Sequence, residues 1–306
     1  MGEVLAAFQT QLDSLVARLV RDIRIVEEGN RKGHPTPLSS MLVEGCLESG
    51  LDLTEGGARY NASGIQAVGL ADVADSLAAL DLVVFQRRRL GMREVVAALR
   101  QDFRGQETLR AELDRAAKFG NDLGLPETYA GRLVRMFHDS LGRFRNTRGG
   151  PYVPGFYSVT CHVAFGRKTG ALPSGRKAGE PFASSIGAAT HADRSGPTAL
   201  LNSVSALDSR LMPNGNALNL RFDPAQIEGD RGLNNLAGLL RGYFEKGGME
   251  VQINVVDPET LRDARAHPGK YPWLVVRVAG YCAYFDDLPD ATKGEIIERT
   301  RLRVAS

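Results

Sequence analysis

The sequence LVVRVAGYCAYF, residues 274–285, decides the fold of this chain. It is an apolar run that one glycine, Gly280, interrupts, with Arg277 three residues before the glycine and aromatic residues after it. Glycine weakens a strand and adds no side chain to its packing, so a glycine in a strand needs a reason. The ordinary reason is a β-bulge or the close approach of another backbone. The alternative is that Gly280 has a chemical role of its own.

The chemical role that suits glycine alone is to carry an unpaired electron on its α-carbon. The amide nitrogen on one side and the carbonyl on the other spread the spin, whereas a side chain would twist this planar centre and block the Cα–H. Such a radical must be shielded from water and oxygen. The neighbouring side chains that could shield it are Val275, Val276, Val278, Tyr281, Tyr284 and Phe285. Arg277 could tie the loop to a carboxylate or to carbonyl groups.

Composition sets the class of protein. The chain has 306 residues, 43% hydrophobic and 24% charged, which is typical of a globular protein with one large or two ordinary domains. Its net charge of +2 gives no argument for nucleic-acid binding. It contains neither an apolar run of about 18 residues nor a secretory signal. Three distant cysteines form no disulfide framework. We therefore expect a cytoplasmic protein that binds neither nucleic acid nor a membrane.

Apolar spacing and turn residues predict helices first, and strands mixed with helices after Pro151. This order favours an α/β architecture with a helical N-terminal region. Helices are predicted over 1–30 (with an apolar stripe that includes Leu15 and Leu19), 38–48, 70–85, 92–148 with breaks, 198–207, 233–246, 258–266 behind an Asp257 cap, and 290–303, the last exposed and charged. Strands are predicted over 156–165, over 250–256 and at Gly280.

Other candidate sites carry weaker signals. The basic, glycine-rich loop at 166–181 does not match GxxxxGK[ST], and we interpret its cations as ligands of loop carbonyl and carboxylate groups rather than of phosphate. Cys161 and His162 suggest a thiol–imidazole pair, but neighbours on a strand face opposite sides. The five histidines lack metal-ligand spacing.

Several segments together resemble the glycyl radical enzymes, the family of pyruvate formate-lyase and of the glycerol and diol dehydratases. RVAGY at 277–281 resembles the radical loop of that family. The other similar segments are NASGIQAVGLADVADSL (61–77), SVTCHVAFGRKTGALPSGRKAGEP (158–181), GPTA (196–199), NGNALN (214–219), 247–256 followed by 276–285, and EIIERT (295–300). The resemblance covers essentially the whole chain, and the dehydratase and benzylsuccinate-synthase-like branches look most similar.

The resemblance implies that Gly280 is the catalytic radical site, with Arg277, Val278, Ala279 and Tyr281 as its supporting loop. It implies no bound cofactor. A separate activating enzyme, which uses S-adenosylmethionine and an iron–sulfur cluster, would install the radical. In this family a cysteine thiyl radical on another loop then acts on the substrate.

The chain departs from the family at that cysteine, because too few residues precede Gly280 to include its loop. Cys46 lies in GCLE (45–48), which mimics the expected setting. However, it directly precedes GGARYN (56–61), where family members carry a structural helix. We interpret Cys46 as a buried helix cysteine and only a weak candidate thiol. Cys161 and Cys282 are poorer candidates.

The resemblance predicts the C-terminal half of the family's α/β barrel. Residues 1–150 would form the mainly helical part of the pyruvate formate-lyase-like domain. Residues 151–306 would form an α/β half-barrel and the glycine radical domain, with a buried glycine loop around 274–285.

The functional expectation is a fragment or subunit that stores a radical for lyase or dehydratase chemistry and is inactive alone. A companion N-terminal half chain would supply the thiyl cysteine, and a homo-oligomer is compatible with the sequence. The alternative is an inactive remnant or an interaction module that retains the scaffold. An exposed apolar face would mark the interface with a partner.

Overall fold

The structure is a computed structural model that describes residues 1–298, with Gln226 described by its backbone only. Two compact units alternate along the chain. Unit 1 comprises residues 1–65, 135–155 and 211–214. Unit 2 comprises residues 66–134, 156–210 and 215–298 of the described chain.

Unit 1 begins with α1, Gly2–Gly33, which confirms the first predicted helix. Its buried face contains Leu5, Val16, Val20 and Glu27. The apolar stripe expected from the sequence differs from this buried face, because Leu15 and Leu19 are 55% and 41% exposed. The other elements are α2 (Pro37–Leu42), α3 (Cys46–Ser49), a 3₁₀ turn (Leu53–Glu55), and β1 (Ser63–Gln66) paired with β2 (Tyr152–Gly155).

The predicted helix over 38–48 is wrong as one element, because Gly45 breaks it. Gly45 has a φ of +100°, in the left-handed region that favours glycine. A Cβ at this position would lie 2.6 Å from the backbone nitrogen of Arg59. The chain restarts as α3, where the Glu48 carboxylate accepts a 3.0 Å hydrogen bond from the Gly45 N–H.

Most of the predicted helices of unit 2 are confirmed. The helix expected over 70–85 is α4 (Leu70–Ala79), which continues as a π-helical segment (Leu80–Gln86). The helical region 92–148 divides into α5 (Met92–Arg100), α6 (Glu107–Asp114) and α7 (Leu125–Gly142). Residues 135–142 of α7 belong to unit 1. The later helices are α8 (Cys161–Arg167), α9 (Pro197–Ser205), α10 (Gly229–Glu245), α11 (Pro258–Ala266) and α12 (Asp290–Glu298). Asp257 caps α11 as predicted, accepting from Thr260 N–H.

The strand predicted over 156–165 is wrong. The strand in this region is β2, which ends at Gly155, and α8 begins at Cys161. The alternating pattern also places Ser158 and His162 four residues apart, which brings them together at the start of a helix. Their side chains are hydrogen-bonded at 2.8 Å between Oγ and Nδ1.

The strands described within residues 1–298 form three two-stranded sheets. The strand expected over 250–256 is β4, Gln252–Val255, which pairs in parallel with β3, Asn219–Phe222, in the register Asn219↔Gln252. The third sheet is the antiparallel hairpin of β5 (Val275–Arg277) and β6 (Cys282–Tyr284). The mixture of helices and strands is confirmed, and the half-barrel stays a prediction.

The last helix was expected to be exposed and charged, and this is wrong for one of its faces. Thr292, Glu295, Ile296 and Ile297 of α12 are buried. The two isoleucines join an apolar core with residues of α11 and of the β5–β6 hairpin: Leu261, Ala264, Leu274, Val276, Val278, Phe285 and Leu288. The predicted continuation of this helix to 303 lies outside the described residues.

Within residues 1–298, no helix combines the length and the apolar character that a membrane crossing requires.

Candidate functional site

Gly280 lies at the tip of the β5–β6 hairpin. The two-residue loop Ala279-Gly280 is closed by a 2.9 Å hydrogen bond from Val278 N–H to the Tyr281 carbonyl. Gly280 has a φ of +95°. As in a type II turn, the third position of the turn has a positive φ and is occupied by glycine. The bulge or strand interior expected from the sequence is therefore a tight turn.

Two side-chain amides of β4 hold the hairpin from one side. Asn254 donates from Nδ2 to the Arg277 carbonyl at 3.1 Å and accepts from Arg277 N–H at 2.8 Å. Gln252 Oε1 accepts from the Gly280 N–H at 3.2 Å. Both amides are buried, with exposed fractions of 7% and 8%. The side chains of β4, rather than its backbone, thus make these hydrogen bonds to the hairpin backbone.

The expected burial of the glycine loop is wrong at its tip. Val278 and Ala279 are fully buried, but Gly280 is exposed. The reason is alternation in the hairpin, which turns Val276 and Val278 into the core and leaves the turn at the surface of the unit. Val275 and Tyr284 are 45% and 54% exposed, so two of the expected shielding residues do not cover the site.

Space around Gly280 is open among the described residues. A Cβ built on it would have only the Tyr157 ring within 4 Å, with Cδ2 at 3.9 Å. Crowding therefore does not explain the glycine. Its positive φ favours glycine.

The structure separates the candidate cysteines. Cys46 is buried, 3% exposed, and belongs to unit 1, whereas Gly280 belongs to unit 2. Its interpretation as a buried helix cysteine is confirmed by its place at the start of α3. Cys161 and Cys282 are exposed, and Cys282 begins β6 two residues after Gly280.

The basic loop at 166–181 is organised by Arg176, as its interpretation predicted. The guanidinium donates to the carbonyl oxygens of Gly170 at 2.9 Å, of Gly166 at 2.7 Å and of Glu180. It also lies 4.5 Å from the centre of the Phe182 ring. Arg176 is thus a structural centre of this loop.

His162 does not pair with Cys161, as expected, but it has two other partners. Its Nδ1 contacts Ser158 Oγ, and its Nε2 lies 3.3 Å from Glu295 Oε2. His162 is completely buried, whereas Glu295 lines a cavity of unit 2. The Ser–His–Glu group joins α8 to α12. Within residues 1–298, no cluster of three or more histidine, cysteine or acidic side chains fits a metal ion.

Unit 2 also contains a cavity of about 540 Å³ that sequence reasoning missed, and Gly280 does not line it. Asp72 and Asp75 of α4 line it. Asp75 Oδ1 accepts from Phe119 N–H at 2.6 Å, while Oδ2 has no hydrogen-bond partner among residues 1–298. Burial raises the pKa of Asp75 to about 8 and that of Asp72 to about 6. These acids are therefore largely or partly protonated near neutral pH.

Comparison with known families accounts for both parts of the chain. The pyruvate formate lyase-like family matches residues 1–166, and the glycine radical family matches residues 182–286, which include the hairpin. The chain belongs to the glycyl radical enzyme family. The resemblance inferred from RVAGY and the other segments is confirmed.

The similar proteins include dehydratases, sulfite-lyases and a decarboxylase. A trans-4-hydroxy-L-proline dehydratase from Clostridioides difficile is 34% identical over 97% of this chain, and a (2S)-3-sulfopropanediol dehydratase from Klebsiella oxytoca is 36% identical over 98%. The glycerol-bound B12-independent glycerol dehydratase from Clostridium butyricum superposes with a TM-score of 0.96 at 38% identity, covering 99% of this chain. The chain spans only 38%, 37% and 38% of these three proteins.

Sequence reasoning missed three residues around Gly280 that the glycyl radical fold brings together: Gln252, Asn254 and Tyr157. The signal for the first two was present. Two amide residues alternate within the predicted strand at 250–256, so they had to share one face of it. That face is buried, whereas Val255 on the other face is 42% exposed.

Proposed function

We propose that Gly280 stores the radical of a glycyl radical dehydratase or lyase. The observation that carries the proposal is the combination of an exposed glycine at positive φ with a hydrogen bond from its N–H to the buried Gln252. Neither crowding nor strand packing requires glycine at this turn. Arg277, Val278, Ala279 and Tyr281 support it by forming the hairpin that presents its Cα.

Radical storage needs an activating enzyme, which we propose uses S-adenosylmethionine and an iron–sulfur cluster in an anaerobic cytoplasm. The Cα–H bond of Gly280 breaks homolytically. The hydrogen atom passes to a carbon radical on the activating enzyme, and the unpaired electron stays on Gly280. The exposed hairpin tip is compatible with access by another protein.

The substrate chemistry needs a thiol, and we propose that it comes from a cysteine outside these 306 residues. Cys46 is buried in unit 1 and ends a glycine-dependent turn, which supports a structural role. Gly280 would take its hydrogen atom back from that cysteine, leaving a thiyl radical to act on the substrate. A companion polypeptide corresponding to the N-terminal part of the dehydratases would supply the cysteine.

The decisive experiment is anaerobic incubation with an activating enzyme, S-adenosylmethionine and a reductant, followed by electron paramagnetic resonance spectroscopy. One α-proton remains on the radical carbon, so the signal should be a doublet. Protein grown on α-deuterated glycine should lose this splitting. Absence of the doublet, or its survival in Gly280→Ala, would rule out the proposal.

Gly269→Ala is the matched control. Gly269 belongs to the same unit, has a φ of +87° and has open space around it, so alanine there meets the same backbone strain. The control should keep the doublet at wild-type intensity. Loss of the signal in both variants would mean that backbone strain at a positive φ removed it, and not the replacement of Gly280 itself.

The second function, an interaction module, has one observation in its favour. Unit 1 exposes an apolar patch on α2 and α3, with Leu38, Met41, Leu42 and Leu47 exposed by 73%, 62%, 81% and 69%. A chain that forms no radical but binds a stable partner through this patch would support that function. The triple variant Leu38→Ser/Met41→Ser/Leu42→Ser should then lose the partner.

A further inference from the structure

Gln252 of β4 contacts the β5–β6 hairpin at Gly280 itself. We propose that Gln252 is a positioning residue that fixes the orientation of the Gly280 peptide and thereby the lifetime of the radical. This inference rests on the proposed radical role of Gly280. It adds a residue outside the RVAGY segment to the machinery.

The first step of the argument is what Gln252 contacts. Its Oε1 accepts from the Gly280 N–H at 3.2 Å, and an N–H donor requires the oxygen of the side-chain amide. The side-chain amide also hydrogen-bonds the Glu250 carboxylate. Glu250 Oε2 in turn accepts from Leu218 N–H at 3.2 Å. A chain of hydrogen bonds therefore selects one orientation of the Gln252 amide.

The second step is burial. Gln252 is 8% exposed, whereas the Gly280 N–H belongs to an exposed turn residue. A buried acceptor that faces an exposed turn has few alternative partners, and leaving it unpaired carries the full cost of desolvation. The hydrogen bond therefore restrains the turn more strongly than an exposed contact would.

The third step is the geometry of the radical. The glycyl centre is stabilised when Cα and both flanking peptide groups are coplanar, which requires φ near 0° or 180°. Gly280 has a φ of +95°, about a quarter turn from coplanarity on its nitrogen side. Rotation about the N–Cα bond must accompany loss of the hydrogen atom. With the N–H held by Gln252, the 279–280 peptide stays fixed and the Cα and the 280–281 peptide rotate.

Asn254 holds the strand that leads into the Gly280 turn. It binds both backbone groups of Arg277, three residues before Gly280, at 2.8 and 3.1 Å. Gln252 and Asn254 therefore hold the turn and the strand that leads into it, two residues apart on one face of β4. The freedom that remains lies in the 280–281 peptide, between the Gly280 N–H and the Tyr281 carbonyl, which accepts from Val278 N–H at 2.9 Å.

The test uses Gln252→Met, which keeps the length of the side chain and removes the acceptor, and Gln252→Asn, which draws the amide back by one methylene. Ile253→Val is the matched control, because Ile253 is on the opposite face of β4. Each protein is labelled with ¹⁵N-glycine and activated anaerobically. We expect both Gln252 variants to form a radical with a broadened doublet and an altered ¹⁵N coupling. Its half-life should fall about three- to tenfold, as expected for loss of one hydrogen bond. Ile253→Val should match the wild type.

Amide hydrogen exchange of the unactivated proteins separates this inference from the proposed function. Exchange at Gly280 should accelerate at least about threefold in the Gln252 variants and not in Ile253→Val. Unchanged exchange would refute the hydrogen bond and with it the inference. Faster exchange with an unchanged spectrum and half-life would also overturn the positioning role, while leaving Gly280 as the radical site. A wild-type protein that forms no radical would refute the proposed function, and the positioning role with it.

Discussion

Two glycine turns, one in each unit, have nearly the same backbone conformation for different reasons. Gly45 has a φ of +100° and Gly280 a φ of +95°. A Cβ on Gly45 would lie 2.6 Å from Arg59 N and 2.7 Å from the Gly57 carbonyl oxygen. A Cβ on Gly280 would have, among the described residues, only the Tyr157 ring within 4 Å, at 3.9 Å. Packing thus requires glycine in the first turn and not in the second. A glycine that packing does not require is the better candidate for chemistry.

The largest expected effect is the difference in stability between alanine variants of the two turns. Gly45→Ala combines left-handed strain with backbone overlap and should cost about 3–5 kcal/mol in the free energy of unfolding. Gly280→Ala adds strain alone and should cost about 1–2 kcal/mol. Urea denaturation, followed with a probe in each unit, measures both. Equal losses would contradict the comparison, because they would mean that Gly280 is also held by packing.

The sequence predicted neither turn. RVAGY nevertheless contributed to identifying the family, because its residues are consecutive and can be recognised without knowledge of distant contacts. The role of Gly45 could not be predicted, because Arg59 and Gly57 approach it only in the folded chain. For the same reason the partner of Gly280, Gln252, was missed although β4 itself was predicted. The strand expected at 156–165 failed because alternation over a short segment also fits a helix with a residue pair four apart.

The next prediction contrasts one buried acid in each unit. Burial alone would raise the pKa of Glu27 in unit 1, but hydrogen bonds from Ser63 and Thr147, together with Arg148, outweigh it, so its pKa is lowered. Asp75 in unit 2 has a pKa raised to about 8, mainly by burial, despite the Phe119 N–H and Lys118. The two units should therefore respond to pH in opposite directions.

The direction follows from proton binding. Between about pH 4 and 8 the folded chain keeps the Asp75 proton that the unfolded chain releases, so stability falls as pH rises. Asp75→Asn keeps an acceptor for Phe119 N–H and should abolish this decline, with a gain over wild type on the order of 2–4 kcal/mol at pH 9. The stability from Glu27 is instead lost below about pH 4.5. Glu27→Gln should reduce stability at pH 7 and flatten this acid loss. Denaturation at intervals between about pH 2.5 and 9 measures both, and parallel profiles of wild type and Asp75→Asn would contradict the assignment.

A smaller effect on the free energy of unfolding is expected at Cys46, which follows Gly45. Cys46→Ala removes one buried sulfur and should cost about 1 kcal/mol, while Cys46→Ser buries a hydroxyl and should cost about 1–3 kcal/mol. Neither variant should change the Gly280 doublet after activation. In a system that turns over substrate, both should retain activity. Loss of turnover with an intact radical would show that Cys46 is the thiol, and would reverse the assignment of a structural role to the first turn.

The smallest effect on the free energy of unfolding is expected at Cys282, two residues after Gly280. It is exposed and begins β6, opposite Arg277. Cys282→Ser should change stability by no more than about 0.5 kcal/mol, because an exposed thiol contributes little to packing. Its sulfur is nevertheless two residues from Gly280, so it is the thiol of this chain nearest in sequence to the radical carbon. A doublet of unchanged intensity and half-life in Cys282→Ser would assign the thiol chemistry to a cysteine elsewhere. A longer-lived radical in Cys282→Ser would instead show that the Cys282 thiol quenches the Gly280 radical.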